Sequence, residues 1–170
     1  MFPFRILLSL YMTLIYPSLT YGILAWGNSS KILNNRILIL QKRIIRIIHN
    51  VHFLSHTNSL FLNNNILKID DLYNWHLGIF MFQLSQKTLP SPLISIFTRN
   101  SEVHSYPTRQ SNQYHPPLLR TSIAQKTVVF TGPKYWNEID QSLKLIPRLS
   151  PFKKRLKQII LESYSVLFPP

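Results

Sequence analysis

Three histidines lie close together in the first half of the chain, at positions 49, 52 and 56. On one continuous helix, His49, His52 and His56 would bring three imidazoles to one face, as in a zinc site. Asn50 and Ser55 interrupt the segment, however, and it offers no fourth ligand of the Cys or Asp type. We therefore predict no metal site at these histidines.

Carboxylates are scarce in this sequence. The six are Asp70, Asp71, Glu102, Glu138, Asp140 and Glu162. Adjacent aspartates can hold two Mg²⁺ ions in a polymerase, but the residues around Asp70 and Asp71 have the pattern of a helix start, and no third aspartate lies upstream. We interpret the pair as acidic residues that favour a helix N-terminus.

Other catalytic signatures are missing as well. The sequence contains no G-x-x-x-x-G-K-S/T, G-x-S-x-G or H-E-x-x-H motif, and its four glycines argue against a phosphate-cradling loop. The absence of cysteine excludes disulfides, thiolate metal ligands and a cysteine nucleophile. We predict no catalytic residue, no metal and no cofactor.

The charge balance points to a polyanionic partner. Among 170 residues, 19 Lys and Arg stand against 6 Asp and Glu, for a formal charge of +13. So large an excess favours nucleic acid or an anionic membrane surface. A hydrophobic fraction of 45% suffices for a core, so the chain is expected to be globular.

The segment KILNNRILILQKRIIRIIHN, residues 31–50, predicts a long amphipathic helix after an N-cap at Ser29 or Ser30. Its predicted core face consists of Leu33, Ile37, Leu40, Ile44, Ile47 and Ile48. The opposite face is basic, and four of its cations are predicted to contact successive phosphates of one strand: Arg36, Lys42, Arg43 and Arg46. A merely solvated face is the alternative, but such faces usually mix charges of both signs.

Further cations are predicted to add phosphate contacts elsewhere. These are Arg109 and the cluster Lys153, Lys154 and Lys157 on a final helix. Four aromatic residues could stack on bases, although a place in the core is the stronger interpretation. They are Tyr106, Tyr114, Tyr135 and Trp136.

The remaining pattern predicts a mainly α fold. Residues 4–16 and 17–26 are expected to form two helices that meet at Pro17, and further helices are expected at 58–64 and 70–85. A boundary near residue 88 separates a helical bundle, 1–88, from a Pro-rich and irregular region, 89–170.

Within the second region, Lys126 to Phe130 (KTVVF) is β-prone, and Gly132-Pro133 is expected to open a short aromatic helix. The final helix begins after Ser150-Pro151. It is predicted to bury Phe152, Leu156 and Ile159 and to expose Lys153, Lys154 and Lys157.

An alternative class of function comes from the uncharged stretch Ile6 to Trp26, which is long and apolar enough to suggest a membrane anchor followed by a basic tail. The hydroxyl-bearing residues and the proline within it favour buried helices instead. The membrane remains the less favoured partner.

The order of motifs resembles the C-terminal region of non-LTR (LINE, jockey-like) retrotransposon reverse transcriptases. The most telling segments are Y-P-x-L-x-Y-G-x-x-x-W-G at Tyr16 to Gly27 and LQKRIIRII at Leu40 to Ile48. The series continues with SHTNSLFLNNNILKIDDLYNWHLGIFMF, HSYPTRQ, FTGPKYWNEI and LSPFKKRLKQIILESY, and so covers Leu8 to Tyr164. His56, Tyr106, Arg109, Gly132 and Trp136 fit the family pattern, whereas His49 and His52 do not.

The resemblance implies a thumb-like helical bundle and tail that hold a template and primer duplex, in a parent enzyme that is an RNA-directed DNA polymerase. The catalytic aspartates of that family lie upstream of the matched region, so this chain is expected to be an inert fragment that binds an RNA/DNA hybrid or duplex backbone. A missing palm domain is a further expected partner, and nucleus or cytoplasm is the implied location. A non-functional remnant of a mobile element is the remaining alternative.

Overall fold

The fold is mainly helical, as predicted, in the computed structural model, which describes residues 2–103 and 109–166. These residues form no strand, and their one β-bridge joins Arg99 and Tyr114. The helices are α1 (Phe4–Leu10), α2 (Tyr16–Thr20), α3 (Ile23–Trp26), α4 (Lys31–His49), α5 (Asn58–Asn63), α6 (Ile69–Ser85), α7 (Ser91–Ile94), α8 (Asn100–Val103), α9 (Val128–Glu138), α10 (Gln141–Lys144) and α11 (Leu149–Val166).

The chain divides into two compact units. The first unit comprises residues 1–73 and 157–170, and the second comprises residues 74–156. Helices α6 and α11 each contribute residues to both units.

The first helical run does not break at Pro17, which corrects the prediction of two helices at 4–16 and 17–26. A π-helical segment, Tyr11–Ile15, connects α1 to α2, and the Tyr16 N–H donates to the carbonyl of Tyr11. The wider π turn provides room for a proline ring, which has no N–H to donate. The helical run instead ends at Thr20, and Gly22, with a left-handed φ of 58°, precedes α3.

Helix α4 matches its predicted span, but its buried face differs from the predicted one. The buried residues are Asn34, Gln41, Ile45 and Ile48, whereas Leu33, Leu40 and Ile47 are 51%, 55% and 61% exposed. At 100° per residue, the buried arc is rotated by about 80° from the predicted apolar arc, and Ile48 is common to both.

Two buried amides explain this rotation. The Gln41 side chain is 1% exposed, and its Nε2 donates to the Tyr11 hydroxyl and to the Leu67 carbonyl, each at 2.9 Å. Asn34 Nδ2 donates to the Gly27 carbonyl at 2.6 Å. Hydrogen-bonded amides can therefore occupy core positions that an apolar periodicity reserves for Leu and Ile.

A polar cluster ties the start of α6 to α11 within the first unit. The Tyr164 hydroxyl donates to the Asp71 carboxylate and accepts from the Lys68 backbone N–H, while the Lys68 ammonium lies 4.0 Å from the Tyr164 ring centre. Burial raises the pKa of Asp71, an effect that the Tyr164 hydrogen bond and the nearby Lys68 charge oppose. Asp70 and Asp71 lie in the first turn of α6, as predicted.

In the second unit, aromatic packing joins α6, α9 and the first half of α11. The rings of Phe82 and Phe152 stack with their centres 4.4 Å apart, and Trp136 lies 6.0 Å from Phe152. Trp75 Nε1 donates to the Lys153 carbonyl at 3.0 Å. The predicted core role of Trp136 and of Tyr114 is confirmed, since both are buried.

The predicted β-prone segment Lys126 to Phe130 is wrong. Helix α9 begins at Val128 and continues through Pro133, so Gly132-Pro133 lies inside the helix and does not open it. Gly132, Pro133 and Trp136 share a helical face and are all buried. Burial of that face outweighs the local β-propensity of the two valines.

Helix α11 also differs in part from its predicted amphipathicity. Phe152 and Leu156 are buried as predicted, but Ile159 is 38% exposed. The buried arc continues at Leu161 and Tyr164, which lie about 100° or more around the helix from the first pair. The apolar face therefore turns along the helix and does not stay in one row.

No helix in residues 2–103 and 109–166 combines the length and apolarity needed to cross a bilayer.

The orientation of α4 predicts unequal effects on stability for two neighbouring substitutions. Gln41→Ala should lower the free energy of unfolding by about 1–3 kcal/mol, because a buried hydroxyl and a buried carbonyl lose their donor. Leu40→Ala should change it by no more than about 0.5 kcal/mol, since alanine favours a helix and the leucine is exposed. Urea denaturation of both variants measures this difference. A cost of about 2–5 kcal/mol for Leu40→Ala, with little effect at Gln41, would instead support the face predicted from periodicity.

The Asp71 cluster predicts a pH effect. Because the folded pKa of Asp71 lies above its unfolded value, its contribution to stability is fully present below that unfolded value, about 4, and is lost as pH rises through the folded pKa. Asp71→Asn should remove this part of the pH dependence of unfolding. Glu138→Gln, which changes an exposed carboxylate, is the control and should leave the slope intact. An unchanged slope in Asp71→Asn contradicts the assignment.

Candidate nucleic-acid interface

Helix α4 exposes two of its four predicted phosphate-binding cations. Arg36 and Arg43 are exposed, and their separation of seven residues places them on one face, about 10.5 Å apart along the axis. Helix α4 contains no Asp or Glu. The two guanidinium groups therefore lie on a rigid rod with no carboxylate in the same helix to neutralise them.

The other two predicted cations of α4 have different surroundings. Arg46 is half-buried, and its Nε donates to the Ser55 carbonyl at 2.9 Å, which fixes the segment that follows the helix. Lys42 is also half-buried and lies at the border of the buried face. The structure therefore does not bring all four cations into the single row that the sequence predicted.

Apolar rows flank the two exposed arginines, and sequence reasoning missed them. Leu33, Leu40 and Ile47 form one row, and Ile32 and Ile39, which are 69% and 51% exposed, form the other. We call this surface, with Arg36 and Arg43 at its centre, the Leu/Arg face. The repeat of Leu33, Arg36, Leu40, Arg43 and Ile47 at spacings of three and four is visible in the sequence and could have indicated it.

An open groove extends the Leu/Arg face beyond the end of α4. It has a volume of about 690 Å³ and is lined by Arg43, Arg46, Ile47, Asn50, Val51 and Phe53. Phe53 and Leu54 are each 71% exposed. The combination of exposed apolar side chains and arginines is typical of an interaction surface.

The predicted cations of the C-terminal half are dispersed. Lys154 is exposed, whereas Lys153 and Lys157 are half-buried, and burial lowers the pKa of Lys157. Lys153 and Lys157 were predicted to be exposed. They are half-buried because the buried face of α11 turns around the helix. Arg109 is exposed and lies in the second unit, whereas Tyr106, a candidate for stacking, lies outside the described residues.

His49 and His52 have local partners. His49 Nε2 pairs with Asn64 Nδ2, and His52 Nδ1 accepts from the Leu54 N–H at 3.3 Å. Within the described residues, no group of three His, Cys, Asp or Glu side chains is arranged to hold a metal ion. Asp70 accepts from Asn34 at 3.3 Å and Asp71 from Tyr164, so both aspartates take part in packing the first unit.

Comparison of the chain with protein-family models, with curated proteins and with solved structures finds no match.

Proposed function

We propose that this chain binds the sugar-phosphate backbone of nucleic acid without reading its sequence, as a catalytically inert relative of the C-terminal thumb region of non-LTR reverse transcriptases. The observation that carries the proposal is the exposure of Arg36 and Arg43 on one face of α4, a helix with no acidic residue. Guanidinium groups form bidentate hydrogen bonds with phosphate and release condensed counterions when they do so.

The rigidity of α4 supports this role. The helix is anchored at its first turns by Asn34, in its middle by Gln41 and at its end by Arg46. The exposed arginines therefore keep a fixed spacing before any ligand binds, which reduces the entropy lost on binding. A rod of fixed charges suits a regular duplex backbone better than a flexible loop would.

The first candidate function predicts a sequence-independent and salt-dependent affinity. An Arg36→Gln, Arg43→Gln double variant should bind an RNA/DNA hybrid, a DNA duplex and a single strand more weakly by similar factors. The slope of log affinity against log salt should fall by about 0.9 for each lost phosphate contact on duplex DNA. Fluorescence anisotropy between about 50 and 200 mM salt measures both quantities.

The matched control is Arg120→Gln, Arg148→Gln, which removes the same charge from exposed positions outside the Leu/Arg face. It should keep most of the affinity, because it changes only the net charge. Equal losses in the two double variants would show that net charge alone is responsible and would refute a binding face on α4. A loss restricted to one nucleotide sequence would refute backbone binding.

A second candidate function is favoured by the exposed apolar rows of the Leu/Arg face. A surface with apolar edges and a basic centre is complementary to a protein surface that is apolar with acidic residues at its centre. Following the resemblance, we propose the catalytic palm domain of a non-LTR reverse transcriptase as this partner. Bound in this way, the chain would supply helices to a polymerase whose catalytic aspartates belong to the partner.

The second function predicts that apolar-to-polar changes on the face abolish the complex. Leu33→Gln, Leu40→Gln, Ile47→Gln should remain folded, since all three side chains are at least half exposed, and should lose binding to a separately produced palm domain in analytical ultracentrifugation. The matched control is Leu118→Gln, Ile123→Gln, Leu145→Gln, three exposed apolar residues of the second unit. Failure of the unaltered chain to bind the palm domain, or equal losses in both triple variants, would exclude this function.

A further inference from the structure

A polar cleft in the second unit combines three cations with a wall of amide side chains. Its volume is about 530 Å³, and its cationic lining residues are Arg99, Arg109 and Lys144. None of the six carboxylates of the chain lines it. A second recess of about 620 Å³ shares Arg109, Gln113 and Asn137 with it.

Asn137 holds one wall of this cleft in place. At the end of α9, its Oδ1 accepts from the Tyr114 N–H at 3.2 Å and its Nδ2 donates to the Tyr114 carbonyl at 2.9 Å. The two hydrogen bonds fix the backbone of the 109–115 segment as a neighbouring strand would. The antiparallel bridge between Arg99 and Tyr114 fixes the same segment from the other side.

Asn100 gives the segment a second attachment. Its Nδ2 donates to the Gln110 carbonyl at 2.9 Å and its backbone N–H to the Gln113 carbonyl at 3.0 Å. The Ser101 N–H donates to the Ser111 carbonyl, also at 3.0 Å. The cleft is therefore preformed by backbone hydrogen bonds on both sides, which lowers the entropic cost of binding a ligand there.

The three cations have no carboxylate partner within this cleft. The Arg99 guanidinium lies 5.5 Å from the Tyr114 ring centre, and Lys144 Nζ donates to the Asn137 carbonyl at 3.3 Å. The side chain of Arg109 is exposed and makes no hydrogen bond within residues 2–103 and 109–166.

Two acids lie near the cleft but do not line it. Glu102 accepts from the Arg99 N–H at 3.2 Å, and Asp140, whose charge attracts Lys144, accepts from the N–H and the hydroxyl of Ser142. An anion from outside the chain would therefore find three cations at one preformed concave site.

The character of the lining narrows the class of ligand. The aromatic side chains at the cleft, Tyr114 and Trp136, are buried and have Arg99 and Lys144 over their faces, so they offer no free ring for stacking. Exposed or half-exposed amides, Gln113 and Asn112 among them, provide neutral donors and acceptors. The volume is within the range of small-molecule sites.

We propose that this cleft binds a phosphate-bearing ligand of nucleotide size, with Arg99, Arg109 and Lys144 holding the phosphate oxygens. The ligand is a free nucleotide or the phosphorylated end of a strand, and both present the same chemistry to the site. The proposal is independent of the Leu/Arg face, because it uses different residues in a different unit of the chain.

Isothermal titration of the full chain at low salt tests the proposal with pyrophosphate, ATP, and the 5′-phosphorylated and 5′-hydroxyl forms of one short oligonucleotide. We expect saturable binding of pyrophosphate and at least one nucleotide probe. Arg109→Gln, which removes a side chain with no hydrogen bond to the described residues, should weaken that binding about tenfold, and Arg99→Gln, Arg109→Gln should weaken it further. Arg120→Gln, an exposed cation outside the cleft, is the matched control and should bind as the unaltered chain does.

The probes also separate the two sources of phosphate. Tighter binding of the 5′-phosphorylated oligonucleotide than of its 5′-hydroxyl form, lost in Arg109→Gln, identifies a strand end. Binding of ATP without such a difference identifies a free nucleotide. No saturable binding of any probe, or equal effects of Arg109→Gln and Arg120→Gln, overturns the proposal. Arg36→Gln, Arg43→Gln should leave pyrophosphate binding unchanged, so failure of the backbone-binding function is distinguishable from failure of this site.

Discussion

The burial of two amide side chains, Asn34 and Gln41, determines how α4 sits in the first unit. Each donates hydrogen bonds that an apolar side chain could not make. Asn34 donates to the Gly27 carbonyl, and Gln41 donates to the Tyr11 hydroxyl and the Leu67 carbonyl. Because a buried amide without partners is costly, the helix cannot rotate to bury its leucines without losing these bonds. The same rotation that lets both amide N–H₂ groups donate turns Arg36 and Arg43 outward. The candidate interface is thus a consequence of the way the core is hydrogen-bonded.

Much of the secondary structure could be predicted from the sequence, because it depends on local signals. Helix α4 ends at Asn50, which adopts a left-handed conformation, and the Asp70-Asp71 pair starts α6. Such caps are recognisable from residue type alone. Proline was less informative than expected, since Pro17 and Pro133 both lie within helical runs. A π turn accommodates Pro17, and burial of one face of α9 accommodates Pro133. Neither feature can be recognised from the proline alone.

The candidate sites were harder to predict, because they depend on which face of a helix is buried. Apolar periodicity treats Leu33 and Leu40 as core and cannot anticipate that an amide will find two partners far away in the chain. The cations of α4 could be named from the sequence, but which of them are exposed and which are half-buried could not. In the second unit, Arg109 was singled out from the sequence, whereas Arg99 and Lys144 were not. Their convergence depends on Asn137, whose hydrogen bonds to Tyr114 span 23 positions.

Four of the six carboxylates of this chain accept hydrogen bonds from neutral donors, and six carboxylates cannot balance 19 lysines and arginines. Asp70 accepts from Asn34, Asp71 from Tyr164, Glu102 from a backbone N–H and Asp140 from Ser142. Each of these four acids stabilises a helix start or a turn, and none of these bonds neutralises a side-chain cation. An excess of +13 then acts as a self-repulsion that a bound polyanion would relieve. Binding and stability are linked in such a chain, since any anion that prefers the folded state also stabilises it.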